Sequence, residues 1–222
     1  MSSVWRTQLA PGDLRDGAAI AAAVTVVGIS FGTLAAAAGV PWPLVVGMSV
    51  LVFAGGSQFL AVAVVAAGGA PVAAVAAGLL LNLRHLPFGL AIGDVLGRSW
   101  PARLLGAHVL IDENVALTRS RGTGPRATAV YRICGAAMFV GWNAGTVVGL
   151  LAGEAIPDPG VFGVDAAFPA ALLALLLPSL RRRDARAVAV GAAVVSLAAT
   201  PFLPAGVPVL VALLALLPVV RR

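Results

Sequence analysis

The chain contains no lysine, one cysteine and one tyrosine, and only 11% of its 222 residues are charged. Each shortage removes a class of protein. Soluble domains carry about 25% charged residues, whereas this chain is 60% hydrophobic with a mean hydropathy of +1.00. The lone Cys134 excludes an intrachain disulfide and an all-cysteine metal site, and it is expected to be a small packing residue. All 15 basic residues are arginine, and no basic stripe interleaved with aromatics accompanies them. Nucleic acid is therefore not the implied partner, and membrane orientation explains the net charge of +6 better. Two histidines and scattered acids match no metal-ligand spacing, so neither a metal nor another cofactor is expected.

What is present is apolar helix. The fold class expected is an all-α polytopic transmembrane bundle, one integral membrane domain over residues 1–222. A hydrocarbon core near 30 Å takes roughly 20 residues per span, which limits the chain to about eight or nine crossings and leaves no room for a soluble domain. The segment from Met1 to Gly17 carries Arg6, Asp13, Arg15 and Asp16 without a cleavage signature, so the first apolar run is expected to be retained. Apolar runs cover Gly17 to Val40, Leu44 to Ala67, Val72 to about Ile92, Leu104 to Thr118, Ala127 to Ala152, Val161 to Leu177, Ala187 to Phe202 and Val207 to Val220. Eight crossings are expected, or seven if the short polar fourth run only re-enters. With eight, the arginines at 119–126, 181–183 and 221–222 fall on the cytoplasmic side with the amino terminus. Arg98 and Arg103 are the exception, since they fall outside.

Small residues recur at helical spacing in Gly28-Ile29-Ser30-Phe31-Gly32-Thr33 and Gly141-Trp142-Asn143-Ala144-Gly145-Thr146. Such spacing lets helix backbones approach closely, and the echo between the two stretches is also what internal repeats would leave.

Polar groups at bilayer depth mark the candidate site, because an acid there costs roughly 3 kcal/mol on insertion scales. In Phe53-Ala54-Gly55-Gly56-Ser57-Gln58-Phe59 the glycine pair weakens the helix, and a broken helix near the midplane would offer backbone groups, Ser57 and Gln58 to a ligand. A continuous helix with Gln58 bonded to a neighbour is the alternative. In Asn82-Leu83-Arg84-His85-Leu86-Pro87 a permanent cation stands beside a residue that removes a backbone hydrogen bond. Arg84 is suited to clamp a carboxylate through two parallel bonds, or to pair with Asp112 or Glu113. His85 is a proton shuttle or a hydrogen-bonded structural histidine. Asp112 and Glu113 are about 100° apart on a helix, and His108, four residues before Asp112, would share its face. Asp165 before Phe168-Pro169 reads as a helix cap.

Taken in order, Gly28 to Gly32, Phe53 to Phe59, Asn82 to His85, Asp112-Glu113 and Asp165 to Pro169 resemble the signature stretches of the AzlC family, the large subunits of bacterial branched-chain amino-acid permeases or exporters. The resemblance covers most of the chain from Gly17 onward. It implies a multi-pass protein of the bacterial inner membrane that exports leucine, isoleucine, valine and sometimes methionine, driven by protons, with a small separately encoded AzlD-type membrane subunit. Two departures stand out: Asn114-Val115 where the family commonly has Thr-Phe, and Leu86-Pro87-Phe88 after Arg84-His85. From the residues themselves, Arg84, Gly55, Gly56, Ser57, Gln58 and Asn82 are expected to bind substrate, with Arg84 on its carboxylate, and Asp112, Glu113, His108 and His85 to handle the proton, Asp112 or Glu113 being alternatively the partner of the ammonium group. Two rivals are weighed. A passive channel would need a polar ring from several subunits. An intramembrane hydrolase would need a base tied to Ser57, and no such motif is present.

Overall fold

The computed structural model of the chain describes residues 9–155, 179–204 and 207–216, together with positions 173 and 177. Those residues form helices and turns without a strand. In chain order the helices are α1 (Pro11–Ala37), α2 (Trp42–Leu51), α3 (Gly55–Ala66), α4 (Pro71–Asn82), α5 (His85–Ala91), α6 (Trp100–His108), α7 (Asp112–Ser120), α8 (Pro125–Ala155), α9 (Arg183–Ala199) and α10 (Val207–Val211), which runs into a 3-10 turn at Ala212–Leu216. Three stretches are long and apolar enough to cross a membrane: Pro11–Ala37, Pro71–Ala91 (α4 with α5) and Pro125–Gly153. The expected run from Val161 to Leu177, and with it Asp165, lies outside the described residues apart from positions 173 and 177.

Helices α1 and α8 pack along their whole length, and glycine is the reason. A Cβ on Gly28 would stand 2.7 Å from the Trp142 carbonyl, one on Gly32 2.2 Å from that of Thr146, and one on Gly149 2.0 Å from that of Ile29. The two echoed stretches therefore lie against each other. Thr33 adds a hydrogen bond from its hydroxyl to the Gly149 carbonyl at 3.0 Å. Residue numbers rise together along the contact, from Gly17 on Cys134 to Ala36 on Gly153, so the helices are parallel.

The helix ends fix the course of the chain between them. Asp13 at the start of α1 bonds Arg126 at the start of α8, and Arg121 at the end of α7 pairs with Asp13 and Asp16. Arg119 pairs with Asp94, and Ile92 and Val95 pack with Ala127 and Tyr131. The ends of α5 and α7 thus sit at one face, with the starts of α1 and α8. Pro71, 20 residues before Ala91, is about 30 Å away along a helix, at the opposite face. Helix α3 is antiparallel to α4, since Gly56 meets Leu81 and Arg84 while Gly78 meets Ser57. It therefore runs from mid-depth back to the face where α2 began. Helices α2 and α3 form a hairpin that enters and leaves on one side. By the same argument α6 and α7, bounded by Asp94 and Arg121, form a second hairpin from the arginine-rich side.

Within residues 9–155 three stretches are long and apolar enough to cross and two fold back, where the sequence suggested five crossings, or four if the fourth run re-entered. The run from Leu44 to Ala67 is corrected from a span to two half-helices, and the fourth run re-enters. The unit of a long helix followed by a hairpin occurs twice, in opposite directions. This arrangement also removes the charge exception. The face with Arg15, Arg119, Arg121 and Arg126 now carries Arg98 and Arg103 as well, whereas the turns at 38–41 and 67–70 on the other face hold no charge. Arg119 beside half-exposed Asp94 holds that carboxyl below its ordinary value of 3.8. A lowered folded value contributes stability above the unfolded pKa and loses it as pH falls, and solvent screening keeps this contribution small.

Candidate functional site

Both hairpin tips leave the helical conformation at mid-depth, each for a local reason. At the first, Phe53 has φ +42, a left-handed geometry that costs a residue with a side chain roughly 1–3 kcal/mol, and Ala54 is non-helical at φ −140, ψ 79. The break is held by Gln58, which is 1% exposed: its Oε1 accepts the Ala54 N–H at 3.2 Å. Ser57 donates to the Ala54 carbonyl at 2.8 Å. Gly55 allows the chain to pass Trp142, whose ring would be 2.8 Å from a Cβ, and Gly56 faces Arg84 Nη2, which would be 3.2 Å away. At the second tip Ile111 is extended at φ −126, ψ 161. Asn114 Nδ2 donates to the carbonyls of Val109 at 3.0 Å and Tyr131 at 3.1 Å, so it satisfies a carbonyl that the break sets free. Tyr131 in turn donates from its hydroxyl to Gly106 at 2.7 Å.

The tips meet. Phe53 of the first hairpin, His108 of the second and Phe139 of α8 form an aromatic contact, with ring centroids 6.3 Å (Phe53 to His108), 5.0 Å (Phe53 to Phe139) and 5.4 Å (His108 to Phe139) apart. Between α4 and α5 the chain makes two turn residues, Leu83 and Arg84. Pro87 in the first turn of α5 has no N–H to return to Leu83, which explains the interruption. There Arg84 Nη1 reaches Asp112 Oδ2 at 3.3 Å, and His85 Nε2 lies 4.0 Å from Asp112 Oδ1 while its Nδ1 is 3.0 Å from the Asn82 carbonyl. Glu113 has no ion-pair partner among the described residues.

A cavity of about 820 Å³ opens beside the tips, within the size range of small-molecule sites. Leu96 and Leu110 line its inner side and Leu79, Leu83, Leu86 and Leu90, each more than half exposed, its open side; Phe53 and Ala54 present the first break to it, and Asn82, His85 and His108 supply polar side chains. Arg84, Asp112, Gly55, Gly56, Ser57 and Gln58 are gathered beside it without lining it.

The sequence-derived site is thus brought to one depth, with one correction. His108 does not share a helical face with Asp112, because residues 109–111 leave the helix, and its ring packs on Phe53 and Phe139 instead. Two residues escaped the sequence reading. Phe53 carries the strained turn, for which the glycine pair two residues later was the signal. In the sequence Asn114 stands out only as a departure from a family pattern, although an amide beside two half-buried acids is suited to hold a broken backbone.

Comparison with known proteins agrees with this picture. The model of the family described as AzlC protein matches residues 19–156, which contain both hairpins and most of the three long stretches. A relative from Archaeoglobus fulgidus described as an uncharacterized membrane protein is 30% identical over 174 residues, covering 76% of this chain and 74% of its own length. No solved structure matches. A helical membrane protein with two broken hairpins meeting at mid-depth, matched over the part that builds its site, this chain belongs to the AzlC family.

Proposed function

We propose that the chain is the large subunit of a proton-coupled secondary transporter that exports branched-chain amino acids across the inner membrane, working with a small AzlD-type subunit. The arginine-rich face is then cytoplasmic, in keeping with the bias of cytoplasmic loops toward arginine. The observation that supports this reading most is the cavity at the hairpin tips: six leucines suit an aliphatic side chain, and a cation and an acid lie at its edge. Unwound backbone at the bilayer midplane is found where it faces protein or a wet cavity, and broken helices there hold substrates in many carriers. Arg84 serves the carboxylate of the substrate, Asp112 its ammonium group, and Glu113, which has no ion-pair partner among the described residues, or one of the histidines the proton.

Labelled leucine flux in reconstituted vesicles tests this reading, with and without the AzlD-type subunit and with an imposed pH gradient. Leucine should accumulate against its gradient only when the pH gradient is present. Flux that ignores the gradient yet saturates poorly with leucine would favour a passive channel.

A further inference from the structure

Among the arginine–aspartate contacts of the described residues, the one at mid-depth differs in quality from the best-made one at the arginine-rich face. At the arginine-rich face Arg126 grips Asp13 with both Nε, at 3.0 Å, and Nη2, at 2.8 Å, in the bidentate geometry that makes such pairs strong. At mid-depth Arg84 reaches Asp112 through Nη1 alone at 3.3 Å. Among the described residues its Nε has no acceptor and Asp112 Oδ1 no hydrogen-bond donor, His85 Nε2 standing 4.0 Å off, and both atoms are buried. A permanent pair in an apolar layer would be expected to satisfy these groups, because unsatisfied ones are costly there. Further unused donors lie on the helix whose first turn faces the guanidinium. Gly56 lies against Arg84 with no side chain between them, at the start of the 12-residue helix α3. The first N–H groups of a helix have no intrahelical acceptor and attract anions. Gln58, 1% exposed and bonded to the break through Oε1, has its Nε2 unpartnered.

We propose that Asp112 is a resident stand-in for the ligand's carboxylate, and that the carboxylate of an α-amino acid displaces it from Arg84. This deepens the transport reading and rests on it. The incoming carboxylate takes the full fork of Arg84 together with the amides at Gly55 and Gly56 and the Gln58 Nε2. The displaced Asp112 receives the ammonium group, so one poorly made ion pair is exchanged for two and the net charge of the site is unchanged. The aliphatic side chain enters the leucine-walled cavity beside Ala54 and Asn82. An empty site is closed on itself, and a ligand with only one of the two charges opens it poorly.

Binding of leucine and of 4-methylpentanoate, which is leucine without its amine, to the full chain together with its AzlD-type subunit in lipid nanodiscs tests the displacement. The wild type should bind leucine and hold 4-methylpentanoate weakly. In Asp112→Asn the competitor for Arg84 is gone, so 4-methylpentanoate should bind about tenfold tighter, the scale of one charge-assisted hydrogen bond, while leucine binds more weakly. Unchanged or weaker 4-methylpentanoate binding in that variant overturns the displacement. Should Asp112→Asn not fold, Gly56→Ala decides, because its methyl group would meet Arg84 Nη2 at 3.2 Å. Both ligands should then weaken about tenfold at an unchanged melting temperature, and unchanged binding overturns the proposal. A wild type that binds no leucine would instead refute the transport reading.

Discussion

Gly149→Ala is expected to destabilise the protein by about 3 kcal/mol, the upper end of the overpacking range. The added Cβ would stand 2.0 Å from the Ile29 carbonyl and 2.8 Å from its carbon, and neither belongs to a side chain that can swing aside. Helices α1 and α8 would have to separate, which also stretches the bond from Thr33 to the Gly149 carbonyl and loosens the contacts at Gly28, Gly32 and Gly145. Close backbone approach is the main source of helix association in a bilayer, where burial of apolar surface adds little. Gly12→Ala is the control, since its Cβ would meet nothing within 4 Å. Melting temperatures in detergent check the pair, and a Gly149→Ala protein as stable as Gly12→Ala would contradict the packing described.

Asp13→Asn is the second large loss. The Asp13 side chain is 1% exposed and faces Arg121 and Arg126, which are 20% and 48% exposed. The carboxylate also accepts the Ala10 N–H at 2.9 Å. It ties together the start of α1, the start of α8 and the end of the second hairpin. Breaking a fully buried pair costs about 3 to 5 kcal/mol and an exposed one at most about 1. With the acid enclosed and the arginines partly wet, a loss of about 2 kcal/mol lies between those limits. The exposed neighbour Asp16, paired among the described residues with Arg121, should tolerate Asp16→Asn with little change. Equal losses from the two variants, measured by thermal unfolding, would show that Asp13 is not the tie.

Some of this architecture was legible in the sequence because its causes are local. The long runs of α1 and α8, the small residues that let them touch and the glycine pair that breaks the helix before Ser57 all follow from neighbouring residues. The pair between Arg84 and Asp112 was one of two readings of a buried cation near a buried acid. What stayed hidden was direction. Ten apolar residues after a break look the same whether the chain continues across the bilayer or turns back, because lipid and protein interior are similarly apolar. One trace was present: Arg98 and Arg103 contradicted the charge bias of a five-crossing path, and folding both hairpins back removes the contradiction. The assumed contact between His108 and Asp112 failed for a related reason. It extended helical spacing through Val109, Leu110 and Ile111, two of them β-branched, where the chain in fact leaves the helix. The burial of Asp13 depended on Arg121 and Arg126, more than 100 residues away, and no local pattern announces such a partner.

Two hairpins enter from opposite faces and meet at mid-depth, and side-specific labelling of single cysteines in a Cys134→Ala background tests this arrangement. Trp42→Cys and Ala70→Cys bracket the first hairpin, Arg98→Cys and Thr123→Cys the second. The account predicts that a membrane-impermeant thiol reagent applied outside intact cells labels positions 42 and 70, and that positions 98 and 123 are labelled only from the cytoplasmic side of inverted vesicles. Labelling of positions 42 and 70 from opposite sides would mean that the second apolar segment crosses the bilayer, which contradicts the hairpin and the site built on its tip.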